Sequence, residues 1–461
     1  MCGVTPLWTS AEIADATGGR ANAGFEAHGV TFDSREVGLG DLFVAMPGTG
    51  HDGHKFVAGA FAAGAAGAVV SQPVDGPHVL VEDTAAALEA LGRAARARTD
   101  ATIIGVTGSV GKTSTKEALY AALRRWRRGR VHRSVKSYNN HTGVPLSLAR
   151  MPRDSEFAVL EMGMNNAGEI AALTRLVRPH LALITAIAPA HIENLGSEEA
   201  IADAKAEIFQ GLEPEGIAVI PNDTPHRDRL VKAARRSADR IITFGSGDAD
   251  IHALHAVRAD RGGSLLTAAL LDRDLTFTIS QRGEHWISNA LSVLAAVEAV
   301  GGDVAVAGLA LADLGGLKGR GERHQVAVEG GEILLIDESY NANPASMAAT
   351  LKSLGAETGI KRRVAVLGPM RELGAHSDDL HAALARPVLD AAIDLLILVG
   401  DETLPLQREV AGEIRVLRAA DADEAAHLLS ANLRAGDAVL VKASNSVGLA
   451  RVVEQVAGAS A

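Results

Sequence analysis

Cysteine is almost missing from this chain of 461 residues: the single Cys2 allows no internal disulfide and no cysteine-held metal cluster, which suits a reducing compartment. Aromatic residues are only 3%, so the core must come from the aliphatic residues, many of them alanine, that dominate the 47% hydrophobic share. Basic charge is in deficit: 45 Lys and Arg face 56 Asp and Glu, a net charge of -11. That excludes general attraction to nucleic acid or an anionic membrane and leaves any polyanion to a local site. The 48 glycines and 15 prolines follow no collagen-like period, and 22% charged residues exclude wholesale disorder. A long apolar run is also lacking. The uncharged stretch from Phe56 to Val81, apart from Asp75, is mostly Ala and Gly and is interrupted by Ser71, Gln72 and Pro73. It reads as a helix followed by a strand and not as a membrane span. The opening MCGVTPLWTSAEIADATGG has neither a basic start nor an unbroken apolar centre, so no secretory signal and a cytoplasmic location are expected.

At roughly 150 residues per domain the length allows about three domains with real cores. The expected fold class is α/β throughout. Residues 1–100 carry the β-like runs GVTFDS, DLFVAM, GAVVS and HVLVED, with an Ala-rich helical stretch, and read as a small α/β unit. Residues 101–325 repeat strand, glycine turn and helix, the alternation of a parallel sheet wrapped by helices. Residues 326–461 hold GEILLIDES, RRVAVLG, DLLILVG and DAVLVKAS, each followed by helix-compatible sequence, and read as a Rossmann-like domain. The basic stretch RRWRRGR, residues 124–130, falls where the helix after the glycine loop should end, and cations there suit the helix dipole and stay solvated.

The strongest local signal is GVTGSVGKTS, residues 105–114, between an apolar strand and a helix. Such a loop aims backbone N–H groups at a phosphate chain, Lys112 reaches the terminal phosphates and the Thr113 hydroxyl can bind Mg²⁺. Val106 stands where the strict G-x4-G-K-[ST] pattern has its first glycine. Glu161 closes the strand FAVLEMG. Alone it is an ordinary turn residue, but at the carboxyl edge of a sheet, beside a phosphate loop, it becomes a candidate metal ligand. His191 alone reads as a surface or core histidine, and Lys205, among Ile201, Ile208 and Phe209, as an amphipathic lysine with a solvated head. In IDESYNANPASM, the polar cluster Asp337, Glu338, Tyr340, Asn341 and Asn343 follows an apolar strand and reads as a contact loop or as a capped turn into the next helix.

Taken together, GVTGSVGKTSTKEAL, SYNNHTGVPLSL, LEMGMNNAGEI, AHIENLGS with AKAEIF, HWISNALSVLAAV, DESYNANPASM, MRELG and the early FDSREVGLGDLFVAMPGTGHDGHKF resemble, in order and over nearly the whole chain, the Mur ligases of peptidoglycan synthesis. The SYNANP loop favours the branch that adds a dipeptide over neighbouring Mur ligases and folylpolyglutamate synthases. The resemblance implies three domains: one for the UDP-substrate, a central P-loop ATPase-like domain, and a C-terminal Rossmann-like domain that closes over the site. It implies ATP and Mg²⁺, with UDP-N-acetylmuramoyl-tripeptide and D-alanyl-D-alanine as small-molecule partners, in a monomer with no nucleic-acid partner and no membrane insertion. The substrate carboxylate would be phosphorylated to an acyl phosphate and then captured by the dipeptide amine.

Residue by residue, the resemblance gives Gly108, Ser109, Val110, Gly111, Lys112, Thr113 and Ser114 to the phosphates. Thr113 and Glu161 take a first Mg²⁺, and His191 with a carbamylated Lys205 takes a second. Asn289 goes to adenine, Asp337 to ribose, and Arg320, with Arg323 as the alternative, to the γ-phosphate. Asn139 and Asn140 fall near the reacting phosphate, Ser34 and Arg35 near the uridine diphosphate, and Tyr340 and Asn341 at the substrate. The chain departs from the family pattern at Pro369, Ala443 and Asn445, where Asp, Gly and Arg are usual, and at His141 and Thr142, where Glu and Ile are common. A nucleotide-regulated binding protein is the reading from another class, and a second metal position argues against it.

Overall fold

The computed structural model describes residues 5–48, 52–190, 192–259 and 263–458; Cys2 and His191 lie outside the described residues. A ribbon of β1 (Trp8–Thr9) and β3 (Glu26–Ala27) packs beside a five-stranded sheet. That sheet has the order β2 (Arg20–Ala21), β7 (His78–Leu80), β6 (Gly67–Val70), β5 (Asp41–Val44), β4 (Gly29–Thr31). All its pairings are parallel except β2 with β7. The uncharged run forms helix Val57–Ala62, β6 and β7, and breaks where Ser71, Gln72 and Pro73 interrupt it.

The central sheet has nine strands. Its parallel part runs β9 (Val131–Arg133), β10 (Phe157–Glu161), β8 (Thr102–Thr107), β11 (Leu181–Ile184), β12 (Ile217–Pro221), β13 (Arg240–Gly245), β14 (Ile251–Arg258). Beyond β14, β15 (Ser264–Ala269) and β16 (Asp274–Ile279) pair antiparallel and extend the parallel sheet at one edge.

Both faces of the parallel part are buried, so its strands are apolar on both sides. Ile104, Val106 and Leu183 meet Leu119, Leu123, Leu291 and Leu294 on one face, and Ile103, Leu160 and Ile184 meet Val144, Ile170 and Ile201 on the other. Each such side chain contributes about 1.5–3 kcal/mol on burial.

The third sheet has the order β17 (Glu322–Val328), β18 (Gly331–Glu338), β22 (Asp437–Lys442), β19 (Arg362–Leu367), β20 (Leu395–Val399), β21 (Arg415–Ala419). It begins at Glu322, ahead of residue 326, with a β17–β18 hairpin turned by Glu329 and Gly330; its other pairings are parallel. Helix Lys112–Arg127 ends in the basic stretch, where Arg128 adopts a left-handed φ of 47°. There Arg125 pairs with Asp313 at 2.5 Å, and Arg127 and Arg130 share Glu156 at 3.4 and 2.5 Å.

Candidate active site

The carboxyl ends of β8, β10 and β18 open on one cleft of 610 Å³ between the central and third sheets. Ligands gather at that edge of a parallel sheet because strand ends, glycine turns and helix N-termini converge there. Ser109 to Ser114 form its floor. Glycine is needed at two places in this loop. At Gly108 (φ 150°) a Cβ would meet Thr185 Oγ1 at 1.9 Å, and at Gly111 (φ 81°) it would meet Asn289 Oδ1 at 2.7 Å. The loop is laced to the segment after β11: Ser109 N donates to Ala186 O at 2.8 Å, Thr185 Oγ1 to Val110 O at 2.5 Å, and Ala188 N to Ser109 Oγ at 3.0 Å. Lys112 folds back so that Nζ donates to Gly108 O at 2.7 Å. Desolvation by the cleft walls lowers its pKa, Glu161 opposes that shift and Arg320 reinforces it.

A corner of oxygen donors lies beside the lysine. Thr113 Oγ1 donates to Glu161 Oε2 at 2.9 Å and lies 3.2 Å from Ser137 Oγ, while Asn139 Nδ2 donates to Glu161 Oε1 at 2.8 Å. Glu161 is 1% exposed, and its backbone N–H donates to Ser134 Oγ at 3.0 Å. Asn140 lines the cleft, yet its Oδ1 is occupied, accepting from Thr142 and from Gly143 N at the start of helix Gly143–Ala149.

Lys205, in helix Glu198–Ala206, is 1% exposed, so the solvated-head reading fails. Among the described residues no carboxylate forms an ion pair with it. Burial, reinforced by the Lys112 charge, holds its pKa well below the usual lysine value, which favours the neutral, nucleophilic amine. It does not itself line the cleft. His191, its expected companion, lies outside the described residues.

Opposite the loop stand Asn289, His285 and Trp286 from helix His285–Ala299, Glu338 and Lys442 at strand ends of the third sheet, and Arg320, Tyr340 and Asn341 from the turns beside it. The Arg320 guanidinium lies 4.3 Å from the Tyr340 ring centre. Arg323 is engaged elsewhere, with Glu357 at 2.9 and 3.1 Å, and Glu357 also takes Arg282 of the central unit at 2.5 Å. Lys352 and Glu284 add a second ion pair across that seam at 2.5 Å.

Asp337 does not itself line the cleft. Its Oδ2 accepts from Gly319 N at 2.9 Å and its Oδ1 from Ser339 N and Oγ at 3.0 and 2.6 Å, so this 2% exposed carboxylate fastens the strand end and leaves the cleft to its neighbour. Glu338 is the acid that faces the cleft, 3.3 Å from Lys442 Nζ, which also donates to Asn341 O at 2.9 Å.

Ser34 and Arg35 are not brought into the cleft. They occupy a turn, Ser34–Glu36, at the end of β4, where Arg35 pairs with Asp33 and holds that carboxyl at about 2. Glu36 of that turn meets Lys136 Nζ and, at 3.4 Å, Tyr138 Oη, on the segment whose Ser137 and Asn139 line the cleft. Of the departures from the family pattern, His141 lines the cleft, whereas Ala443 is buried under Gly368.

Three family models cover the chain: "Mur ligase family, catalytic domain" matches residues 26–127, "Mur ligase middle domain" 106–297, and "Mur ligase, glutamate ligase domain" 319–445. A UDP-N-acetylmuramoyl-tripeptide--D-alanyl-D-alanine ligase of Synechocystis sp. is 37% identical over 92% of this chain and 90% of its own. The chain belongs to the Mur ligase family. The Bacillus subtilis relative of the same name is 34% identical over 93% of both chains. Among solved structures similar to this Mur ligase, MurF from Acinetobacter baumannii superposes with a TM-score of 0.83 at 28% identity, covering 98% of this chain and 99% of that one. MurF ligase from Thermotoga maritima, in complex with ADP, gives 0.77 at 28% identity, covering 93% and 97%.

The sequence reading passed over Lys116, Ser137, His285, Glu338 as a cleft residue, and Lys442. Lys116 carried one legible sign: a lysine four residues after Lys112 lies on the same helix face, among residues that pack inward.

Proposed function

We propose that this chain is the ATP-dependent ligase that joins D-alanyl-D-alanine to UDP-N-acetylmuramoyl-tripeptide, acting in the cytoplasm as a monomer. The observation that carries the reading is the convergence of Lys112, the Thr113–Glu161 corner and Arg320 on one cleft, in a chain of this family. A carboxylate and an amine in water form a salt and not an amide, so the carboxylate must first acquire a leaving group. The loop amides, Lys112 and Arg320 hold the phosphates and draw charge off the transferring phosphoryl group. The tripeptide carboxylate takes that group to become an acyl phosphate. Attack by the dipeptide amine expels phosphate and leaves the amide.

The corner suits Mg²⁺ because its donors are hard oxygens, the Thr113 hydroxyl and the Glu161 carboxylate. Bound there, Mg²⁺ supplies positive charge against the repulsion between carboxylate and phosphate. Lys205, buried and favoured as the free amine, has the state that reacts with CO₂, and as a carbamate it offers an anionic oxygen together with His191. Asn289, which adjoins Gly111, would contact the base of the nucleotide, and Glu338, which lines the cleft, would take the ribose hydroxyls in place of Asp337. Asn139, Asn140, Tyr340 and Asn341 line the substrate end. Ser34 and Arg35 serve the uridine diphosphate from the N-terminal sheet. No helix among the described residues is long and apolar enough to cross a membrane.

The test is phosphate release from ATP and Mg²⁺ with UDP-N-acetylmuramoyl-tripeptide, with and without D-alanyl-D-alanine, using peptides ending in diaminopimelate or lysine. Release that requires the dipeptide is the expected result. Turnover indifferent to both substrates would overturn the assignment.

A further inference from the structure

Lys116 lies one helical turn beyond Lys112 and its side chain is 0% exposed. A buried ammonium has three hydrogens to satisfy and no water to do it. Here the ammonium donates to Lys136 O and is flanked by two carboxylates as ion-pair partners, Glu117 Oε1 at 3.1 Å and Glu161 Oε2 at 3.7 Å. Glu117 is shared with Arg133 at 2.8 Å, so two cations balance two carboxylates around a closed cluster.

The Lys136 carbonyl is a telling partner. Residues 136–139 supply both side chains that shape the metal corner, Ser137 toward Thr113 and Asn139 toward Glu161. The same segment meets the N-terminal unit through Lys136 and Glu36, at the turn that carries Ser34 and Arg35. Lys116 therefore grips the backbone of this segment and the Glu161 carboxylate at once, from a helix whose first turn holds the phosphate loop.

We propose that Lys116 is a positioning residue that holds the Thr113–Glu161 corner and the 136–139 segment in register, so that the cation is bound with the nucleotide. This rests on the reading of that corner as the seat of Mg²⁺. Without the ammonium, the Lys136 carbonyl loses its buried donor and one Glu161 oxygen loses its neighbouring cation, so the oxygen donors lose their common anchor. The loop amides and Lys112, which meet phosphate directly, are untouched.

The experiment measures binding of a fluorescent ADP to the full-length chain, without metal and across a Mg²⁺ titration, for the natural protein, Lys116→Met and Lys116→Gln. For Lys116→Met the metal-free affinity should stay within about twofold while the Mg²⁺ half-saturation point rises about tenfold or more. Lys116→Gln keeps N–H donors for the carbonyl and should shift that point only about threefold. If Lys116→Met does not fold, the glutamine variant decides. Variants that titrate Mg²⁺ like the natural protein overturn the proposal. So does an equal loss of affinity with and without metal, which is the mark of a merely structural lysine. A natural protein whose nucleotide binding ignores Mg²⁺ defeats the reading of the corner, and this inference with it.

Discussion

The hydroxyl of Thr113 donates to Glu161 Oε2 at 2.9 Å across 48 positions of sequence. The contact exists because β8 and β10 are neighbours in register, Glu161 beside Val106, so the helix that follows β8 starts next to the carboxylate that ends β10. Glu161→Gln keeps the shape and removes the charge. It should lower kcat/KM about 10²–10³-fold, or roughly 3–4 kcal/mol of transition-state stabilisation, with metal-free nucleotide affinity nearly unchanged. Steady-state kinetics beside a Mg²⁺ titration checks both.

Arg320 and Arg323 separate by partner. Arg320→Ala should cut kcat by about 10²-fold or more with little change in melting temperature, as expected for a cation at a transferring phosphoryl group. Arg323→Ala should do the reverse, lowering the melting temperature while kcat stays within about threefold, because it leaves Glu357 less well paired. Equal kinetic losses would make both arginines part of the phosphate site.

Lys205→Ala should abolish Mg²⁺-dependent turnover, with partial return on adding a short-chain carboxylic acid. Its lowered pKa sets a further sign: the reactive free amine declines as pH falls, so natural enzyme stripped of CO₂ at low pH should regain activity slowly on adding bicarbonate, and faster as pH rises. Full activity of the alanine variant without rescue would refute the carbamate.

Glu338→Gln should raise KM for ATP about tenfold with the fold intact, by removing an acceptor for ribose hydroxyls. Asp337→Asn should act mainly on stability, because its oxygens hold Gly319 and Ser339 and an amide cannot accept at both ends. Thermal melts and ATP kinetics on the pair separate the two roles.

His132 is half-buried on β9, 2.7 Å from Ser147 O, and desolvation lowers its pKa from 6.5 to about 4. The unfolded chain takes up the proton first, so stability present above about pH 6.5 is lost as pH falls toward 4, by up to about 3 kcal/mol. His132→Gln should flatten the pH dependence of the melting temperature across that window.

What the sequence made legible was local. Gly108 and Gly111 are required by contacts within a short loop and its neighbours, so spacing alone pointed to phosphate. Burial set by distant elements was not legible: Lys205 sits on a helix whose pattern fits a solvated lysine equally well. Neither could the choice between Asp337 and Glu338 be read, because adjacent strand residues face opposite sides and the facing layer, not the strand, decides which side is the cleft. Lys116 stayed hidden for a related reason, since its hydrogen bond goes to the carbonyl of residue 136 and one of its two carboxylate partners closes β10.

Glu357 is held by two arginines from different units, Arg282 of the central one and Arg323 of its own. If the units part to release product, the Arg282 contact breaks while Arg323 stays on the same carboxylate, so the anion is never stranded during the cycle. The seam thus works as a resettable fastener, closing without a trapped charge to eject and opening without one left behind.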